Sequence, residues 1–171
     1  MNFTKSQSSP SVAIGTKSPH SQNSPASPRP LMSPSAVTWR LDCHEEEVLS
    51  LVEEGCLLWA FNIAAPKAKK VACLRILAES VEDFAVGRQR SYGDDEAEWL
   101  RVAGIIFPQK CEIDTYELAR ALNCGRQHAM DLIHARQFRL APGAHIRRGP
   151  GGSPQILTAS VAEWLKERRV F

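Results

Sequence analysis

Residues 114–138 read DTYELARALNCGRQHAMDLIHARQF, and this stretch decides the fold. A first helix is predicted because Asp114 or Thr115 can cap it and Glu117 can complete a capping box. Asn123-Cys124-Gly125 interrupts that helix, and a second helix is predicted over residues 126–135. The predicted apolar positions of the first helix recur at helical spacing, and they are Tyr116, Ala119 and Leu122.

The second helix has one apolar stripe, formed by Ala129, Leu132 and Ile133, which we expect to pack on Leu118 and Leu122. This packing turns the polar side chains outward, with Arg126 and Gln127 in the first turn. Arginine can pair with guanine and glutamine with adenine in the major groove of DNA. The sequence therefore suggests base-reading residues here, although ordinary solvated polar residues would fit the same pattern.

Much of this stretch has a counterpart about eighty residues earlier in the chain. Two aligned pairs lie 81 residues apart, Cys43 with Cys124 and Leu51 with Leu132. Two later pairs lie 80 residues apart, Ile76 with Ile156 and Ser80 with Ser160. Two copies of one small domain would leave this pattern if they differ by one residue in a loop.

The copy over 112–169 resembles the excisionase-like and MerR-like winged helix-turn-helix domains. The residues that carry the resemblance are the 117–122 helix, the turn at 123–125 and the helix that follows it. The resemblance implies that 126–135 is a recognition helix, that 138–157 is a β-hairpin wing, and that Ser160 caps a closing helix. It differs at Gly125, where the family usually has Ser or Thr, and at Arg136, where the family usually has Gly and an arginine has no easy left-handed conformation.

The predicted wing contains a basic segment followed by a glycine-rich tip over residues 149–154. Arginines there would add affinity for DNA phosphates through release of counterions, or would only make a loop tip more soluble. Trp164 in the closing helix is expected in the core. The predicted DNA-binding residues of helix and wing are Arg126, Gln127, His128, Met130, His134, Arg139, His145, Arg147 and Arg148.

The earlier copy differs where DNA contact would matter most. Its helix opens with Glu45, Glu46 and Glu47, which phosphates would repel but which suit the positive end of a helix dipole. No first helix is evident before Asp42, only a short extended segment over 37–41. We expect Trp59 and Phe61 in the core, or as contacts to a partner, and the loop at 66–70 is basic.

The predicted organisation has four parts. A Ser/Pro-rich tail over 1–36, with five Ser-Pro pairs and no acidic residue, is expected to be disordered. A degenerate winged-helix-like unit, a candidate interaction module, spans 37–86. A linker over 87–111 contains a short helix at 94–102 and a buried extended run at 105–108. The DNA-binding domain spans 112–171, so the fold class is mainly α with small β wings, a tandem of related winged-helix units.

Charge is unevenly distributed along the chain. The net charges of residues 1–36, 37–108 and 109–171 are +3, −5 and +4. Five widely spaced cysteines suit reduced thiols, and neither a metal site nor a cofactor is expected. Neither a signal peptide nor a membrane span is recognisable, so the sequence predicts a cytoplasmic protein, associated with the nucleoid if its source is bacterial.

No catalytic motif or converging constellation is evident, and we expect neither an enzyme nor a small-molecule substrate. The leading expectation is a sequence-specific protein for double-stranded DNA, acting as a transcriptional regulator or as an excisionase-like architectural factor. One such module has a small footprint, so it would need a homodimer, cooperative neighbours or its tandem copy. The alternative is a protein-interaction adaptor that uses the acidic first copy and does not bind DNA.

Overall fold

The computed structural model describes residues 29–66, 73–88, 96–144 and 153–170. Within these residues the chain forms short helices and small antiparallel sheets, which confirms the coarse fold class. In chain order the elements are β1 (Leu31–Met32), α1 (Pro34–Leu41), α2 (Glu45–Glu53), β2 (Ala60–Asn62), β3 (Leu74–Leu77), α3 (Ala78–Ala85), α4 (Glu96–Ile106), β4 (Glu112–Ile113), α5 (Thr115–Ala121), α6 (Arg126–His134), β5 (Ile156–Leu157) and α7 (Thr158–Glu167).

Two parts of the chain repeat one arrangement of elements. The first unit runs from β1 to α3, and the second unit runs from β4 to α7. The start of α6 at Arg126 lies 81 residues after the start of α2 at Glu45, and α5 is displaced from α1 by the same amount. In each unit the strand before the helix pair lies antiparallel to the strand before the last helix, β1 with β3 and β4 with β5.

In each unit, a serine hydroxyl in the last helix accepts a hydrogen bond from the chain that follows the helix pair. The backbone NH of Leu58 donates to Ser80 Oγ at 2.8 Å, and the backbone NH of Arg139 donates to Ser160 Oγ at 2.7 Å. The two donors are 81 residues apart and the two acceptors 80, which confirms the one-residue slip between them. The prediction that Ser160 caps the last helix is wrong, because α7 begins at Thr158 and Ser160 instead fastens the chain that leaves α6.

Left-handed backbone conformations also recur at equivalent positions. The turns inside the two helix pairs place Asp42 at φ 53° and Asn123 at φ 47°. After the second helix of each pair, Gly55 has φ 72° and Arg136 has φ 54°. Glycine adopts this region without strain, whereas the Cβ of arginine crowds the backbone there. The chain therefore leaves α6 in the left-handed conformation, although arginine is unfavourable there.

The first unit has a complete helix pair, which the sequence analysis missed. Residues assigned to the tail and to an extended segment form β1 and α1 instead. Ser33 caps α1 by accepting a hydrogen bond from the NH of Ala36 at 3.3 Å, and Pro34 occupies the first turn, where proline needs no amide partner. Ser33-Pro34 is thus a helix start, although in sequence it is one of five similar pairs.

The linker predicted over 87–111 contains a longer helix than expected. We expected an extended run at 105–108, but α4 continues through Ile106. The reason is a single apolar face, on which Trp99, Val102 and Ile106 are buried at helical spacing. Phe107 follows as a turn residue and is also buried, so this segment belongs to the core.

One hydrophobic core extends across both units. Trp59 packs against Phe61 and Trp99, with ring centroids 6.4 and 5.6 Å apart. This cluster is continuous with the buried side chains of α5, α6 and α7, including Trp164, while a second cluster lies within the first unit. The predicted core positions of Trp59, Phe61 and Trp164 are confirmed.

The segment after α7 returns to the first unit and extends its sheet. The NH of Asn62 donates to the carbonyl of Arg168 at 2.9 Å, and the NH of Val170 donates to the carbonyl of Ala60 at 2.8 Å. The guanidinium of Arg169 lies 4.0 Å from the centre of the Trp59 ring. Hydrogen bonds and a shared core therefore hold the two units together.

Candidate nucleic-acid interface

The α5–α6 pair forms as the sequence predicts. Asp114 caps α5 by accepting from the NH of Glu117 at 2.8 Å, and the Glu117 carboxylate accepts in return from the NH of Asp114 at 3.1 Å. The predicted contact side chains of α5 and α6 are all buried, and they are Leu118, Leu122, Ala129, Leu132 and Ile133.

Tyr116 departs from the predicted apolar stripe of α5. It is 70% exposed, because the buried face of α5 is instead formed by Thr115, Leu118, Ala119 and Leu122. The predicted stripe with Tyr116 and the observed face with Thr115 both have helical spacing. The sequence pattern therefore allows either face of α5 to be buried. Burial of the Thr115 hydroxyl decides between them, since it hydrogen bonds with Ser153 and contacts Met130.

The outer face of α6 carries polar side chains along its whole length. Arg126, Gln127, Asp131 and His134 are exposed. Gln127, Asp131 and His134 lie on the side opposite the buried stripe, and Arg126 lies beside it in the first turn. Gln127 Nε2 donates to Asp131 Oδ1 at 2.9 Å, which links two successive turns. Gly125 has no side chain with which to cap α6, so the first-turn amides receive no side-chain acceptor from that position. The start of α6 therefore suits an anion such as a phosphate.

Two of the residues predicted to bind DNA on α6 are less accessible. Met130 is half-buried, and its sulfur lies 3.7 Å from Thr115 Oγ1. His128 is also half-buried and turns toward the first unit, where its Nε2 lies 2.7 Å from the carbonyl oxygen of Ile63. That nitrogen donates to the carbonyl, so His128 orients α6 on the first unit.

The turn before α6 is held by two arginines from the N-terminal half of the chain. Arg75 Nε, in β3, donates to the carbonyl oxygen of Asn123 at 2.9 Å. Arg29 donates to the side-chain oxygen of the same asparagine. With the His128 contact, these bonds fix both the position and the rotation of α6 relative to the first unit. The sequence analysis did not predict these contacts between the units, because most of the acceptors are backbone carbonyl oxygens, which every residue has.

The base of the predicted wing is ordered around β5. Ser153 Oγ accepts from the NH of Thr115 at 3.0 Å, which fastens the returning side of the wing to the start of α5. Arg139 is exposed and lies 3.6 Å from Glu163, an exposed ion pair that contributes little to stability. The other predicted wing contacts, His145, Arg147 and Arg148, lie outside the described residues.

The equivalent surface of the first unit is acidic. The helix α2 begins with three glutamates, and Glu47 accepts from the backbone NH of His44 at 2.7 Å in a capping box. Glu45, Glu46 and Glu53 remain exposed on α2. On α1, Trp39 is 89% exposed, far more than a tryptophan in a core position. One unit thus presents a mixed polar and basic helix, and the other presents an acidic helix.

The cysteines show no arrangement that suggests redox or metal chemistry. Burial raises the pKa of the Cys124 thiol to about 11, so it is largely protonated near neutral pH. Among the described residues, no three His, Cys, Asp or Glu side chains lie close enough together to hold a metal ion. In the same part of the chain, no helix combines the length and apolar character needed to span a bilayer.

Comparison with protein families, with characterised proteins and with solved structures gives no match.

Proposed function

We propose that this protein binds double-stranded DNA in a sequence-specific manner, as a tandem of two winged helix-turn-helix units in which the second unit reads the bases. It would act as a transcriptional regulator or as an excisionase-like architectural factor. The observation that carries the proposal is the outer face of α6, where Arg126, Gln127 and His134 are exposed on a helix that α5 and the first unit hold in place.

In this proposal α6 enters the major groove with its N-terminal turn toward the base edges. Arg126 would donate to guanine, and the uncapped helix start would attract a phosphate. The wing would lie along the adjacent backbone, where Arg147 and Arg148 neutralise phosphates without regard to sequence. His128 is left out of the base-reading set because its ring contacts the first unit.

The first unit would serve as a rigid support in this mechanism. Its carboxylates on α2 would be repelled by phosphates, so α2 cannot take the place of α6 in a groove. Arg75 and Arg29 hold the turn that precedes α6, and they would thereby fix the angle at which α6 approaches DNA. Such preorganisation lowers the entropy lost when the complex forms.

A second candidate function is an adaptor that binds a basic protein. The observation that favours it is the exposed acidic face of α2 in the same unit as the exposed Trp39. Interfaces often place an aromatic side chain within a polar surround. This function would leave α6 as an ordinary solvated helix.

Fluorescence anisotropy of the full chain on labelled random duplexes, at several salt concentrations, tests the DNA proposal. We expect binding that weakens with salt and that Arg126→Ala reduces. Arg88→Ala is a matched control, because it removes one exposed arginine that follows α3 and belongs to neither α6 nor the wing. Absence of binding at low salt by folded protein would refute the proposal and favour the adaptor. Equal effects of the two substitutions would refute a role for Arg126 in the contact.

A further inference from the structure

The outer face of α6 contains a carboxylate that the DNA proposal does not explain. Asp131 is exposed and lies one turn after Gln127, whose amide nitrogen donates to it at 2.9 Å. It is the single acidic residue of α6. A carboxylate that approaches a phosphate backbone weakens binding, so its presence on this face calls for a physical reason.

Helix stability does not supply that reason. Asp131 lies in the second half of α6, where the helix dipole favours positive rather than negative charge. No lysine, arginine or histidine nitrogen is found within ion-pair distance of it in the described part of the chain. Aspartate also has a lower helix propensity than most polar residues. The hydrogen bond from Gln127, one turn earlier, contributes only about 0.2–0.5 kcal/mol to the helix.

The bond between Gln127 and Asp131 determines which groups the pair can present to DNA. Because one hydrogen of the Gln127 amide is directed at Asp131, the side-chain amide is held beside the carboxylate. Gln127 keeps one amide hydrogen and its carbonyl oxygen, and the second oxygen of Asp131 remains as a charged acceptor. Acceptors match base amino groups and repel the O6 and N7 of guanine and the O4 of thymine.

We propose that Asp131, oriented by Gln127, is a specificity-determining residue that accepts a hydrogen bond from the N4 amino group of a cytosine in the major groove. This inference rests on the proposed function. It assigns opposite roles to two residues of α6, with Arg126 as a donor to guanine and Asp131 as an acceptor from cytosine. The same charge disfavours binding to DNA that lacks the cytosine, since no base then compensates for repulsion by nearby phosphates.

The experiment uses the full chain and a randomised duplex pool, with sequencing of the bound fraction for wild type, Asp131→Asn and Asp131→Ala. The enriched duplex is then titrated by anisotropy, with the cytosine present and with it replaced. Glu46→Gln is a matched control, because it removes one exposed carboxylate from the outer face of the equivalent helix in the first unit. Circular dichroism checks that each variant is folded.

Wild type should enrich a cytosine at one position, and replacing that base should weaken binding by roughly 5- to 150-fold. Asp131→Asn should reduce this discrimination to about twofold or less and should bind random DNA more tightly than wild type, whereas Glu46→Gln should change neither. An unchanged base preference in Asp131→Asn, or an enriched motif without such a cytosine, would overturn this inference and leave the proposed function standing. Failure of wild type to bind any duplex at low salt would overturn both.

Discussion

Replacing Arg136 with glycine should stabilise the protein. Arg136 follows α6 with φ 54°, a conformation that the first unit gives to Gly55 with φ 72°. The perturbation is best measured against Arg136→Ala, because both variants remove the charged side chain and only glycine removes the Cβ. The difference between them isolates backbone strain from any loss of charge near the end of α6.

The expected magnitude follows from two opposing terms. The left-handed conformation costs a residue with a Cβ roughly 1–2 kcal/mol, and the greater freedom of glycine in the unfolded chain offsets roughly 0.5–1 kcal/mol. Arg136→Gly should therefore be more stable than Arg136→Ala by roughly 0.5–1 kcal/mol. Gly55→Ala should cost a similar amount, since no atom lies within 4 Å of the added Cβ and strain alone acts.

Urea denaturation followed by tryptophan fluorescence measures these differences, because the chain has four tryptophans and Trp59, Trp99 and Trp164 are buried in the shared core. The midpoints should rank Arg136→Gly above Arg136→Ala, and wild type above Gly55→Ala, at unchanged slopes. If both Arg136 variants have the same midpoint, the left-handed geometry after α6 is not a source of strain. The comparison of Arg136 with Gly55 would then give no measure of strain.

Three further outcomes can be measured directly. Arg126→Ala should cost roughly 1–3 kcal/mol on the preferred duplex and little on random DNA, as read from anisotropy titrations, and equal losses on both would remove it from base reading. Arg147→Ala combined with Arg148→Ala should weaken binding to all duplexes and flatten the salt dependence by about one unit of slope per lost phosphate contact, and an unchanged slope would exclude the wing. A fragment of residues 109–171 lacks α4 and the first unit, so it should unfold without a cooperative transition in circular dichroism; a sharp transition would show that the shared core is dispensable.

The α5–α6 pair could be predicted because its signals are local. Asp114, Glu117 and the turn before Arg126 act within a few residues of the backbone groups they satisfy. The repeat and its one-residue slip could also be predicted from aligned residues, and Ser80 and Ser160 do bond equivalent backbone NH groups, those of Leu58 and Arg139. These features depend on sequence neighbours or on identity between copies, and neither requires knowledge of tertiary contacts.

The features that could not be predicted depend on distant or ambiguous contacts. The helix start at Ser33 is identical in composition to other Ser-Pro pairs, and only packing of Val37 in the first-unit core distinguishes it. The hydrogen bond from Arg75 to the Asn123 carbonyl could not be predicted either, because any residue at that position would have the same carbonyl. Likewise, nothing in the sequence distinguishes a histidine that bonds the Ile63 carbonyl, as His128 does, from one that binds DNA.

The return of the chain after α7 has a consequence for how the protein is made. On the edge of β2 that faces away from β3, the backbone NH of Asn62 bonds Arg168 and the carbonyl of Ala60 bonds Val170. During synthesis the first unit therefore emerges with one edge of its sheet unpaired, next to aromatic side chains that the second unit later covers. Such an open edge favours pairing with other chains. The first unit therefore cannot complete its sheet until Arg168 and Val170 have left the ribosome, so its folding depends on synthesis of the second unit.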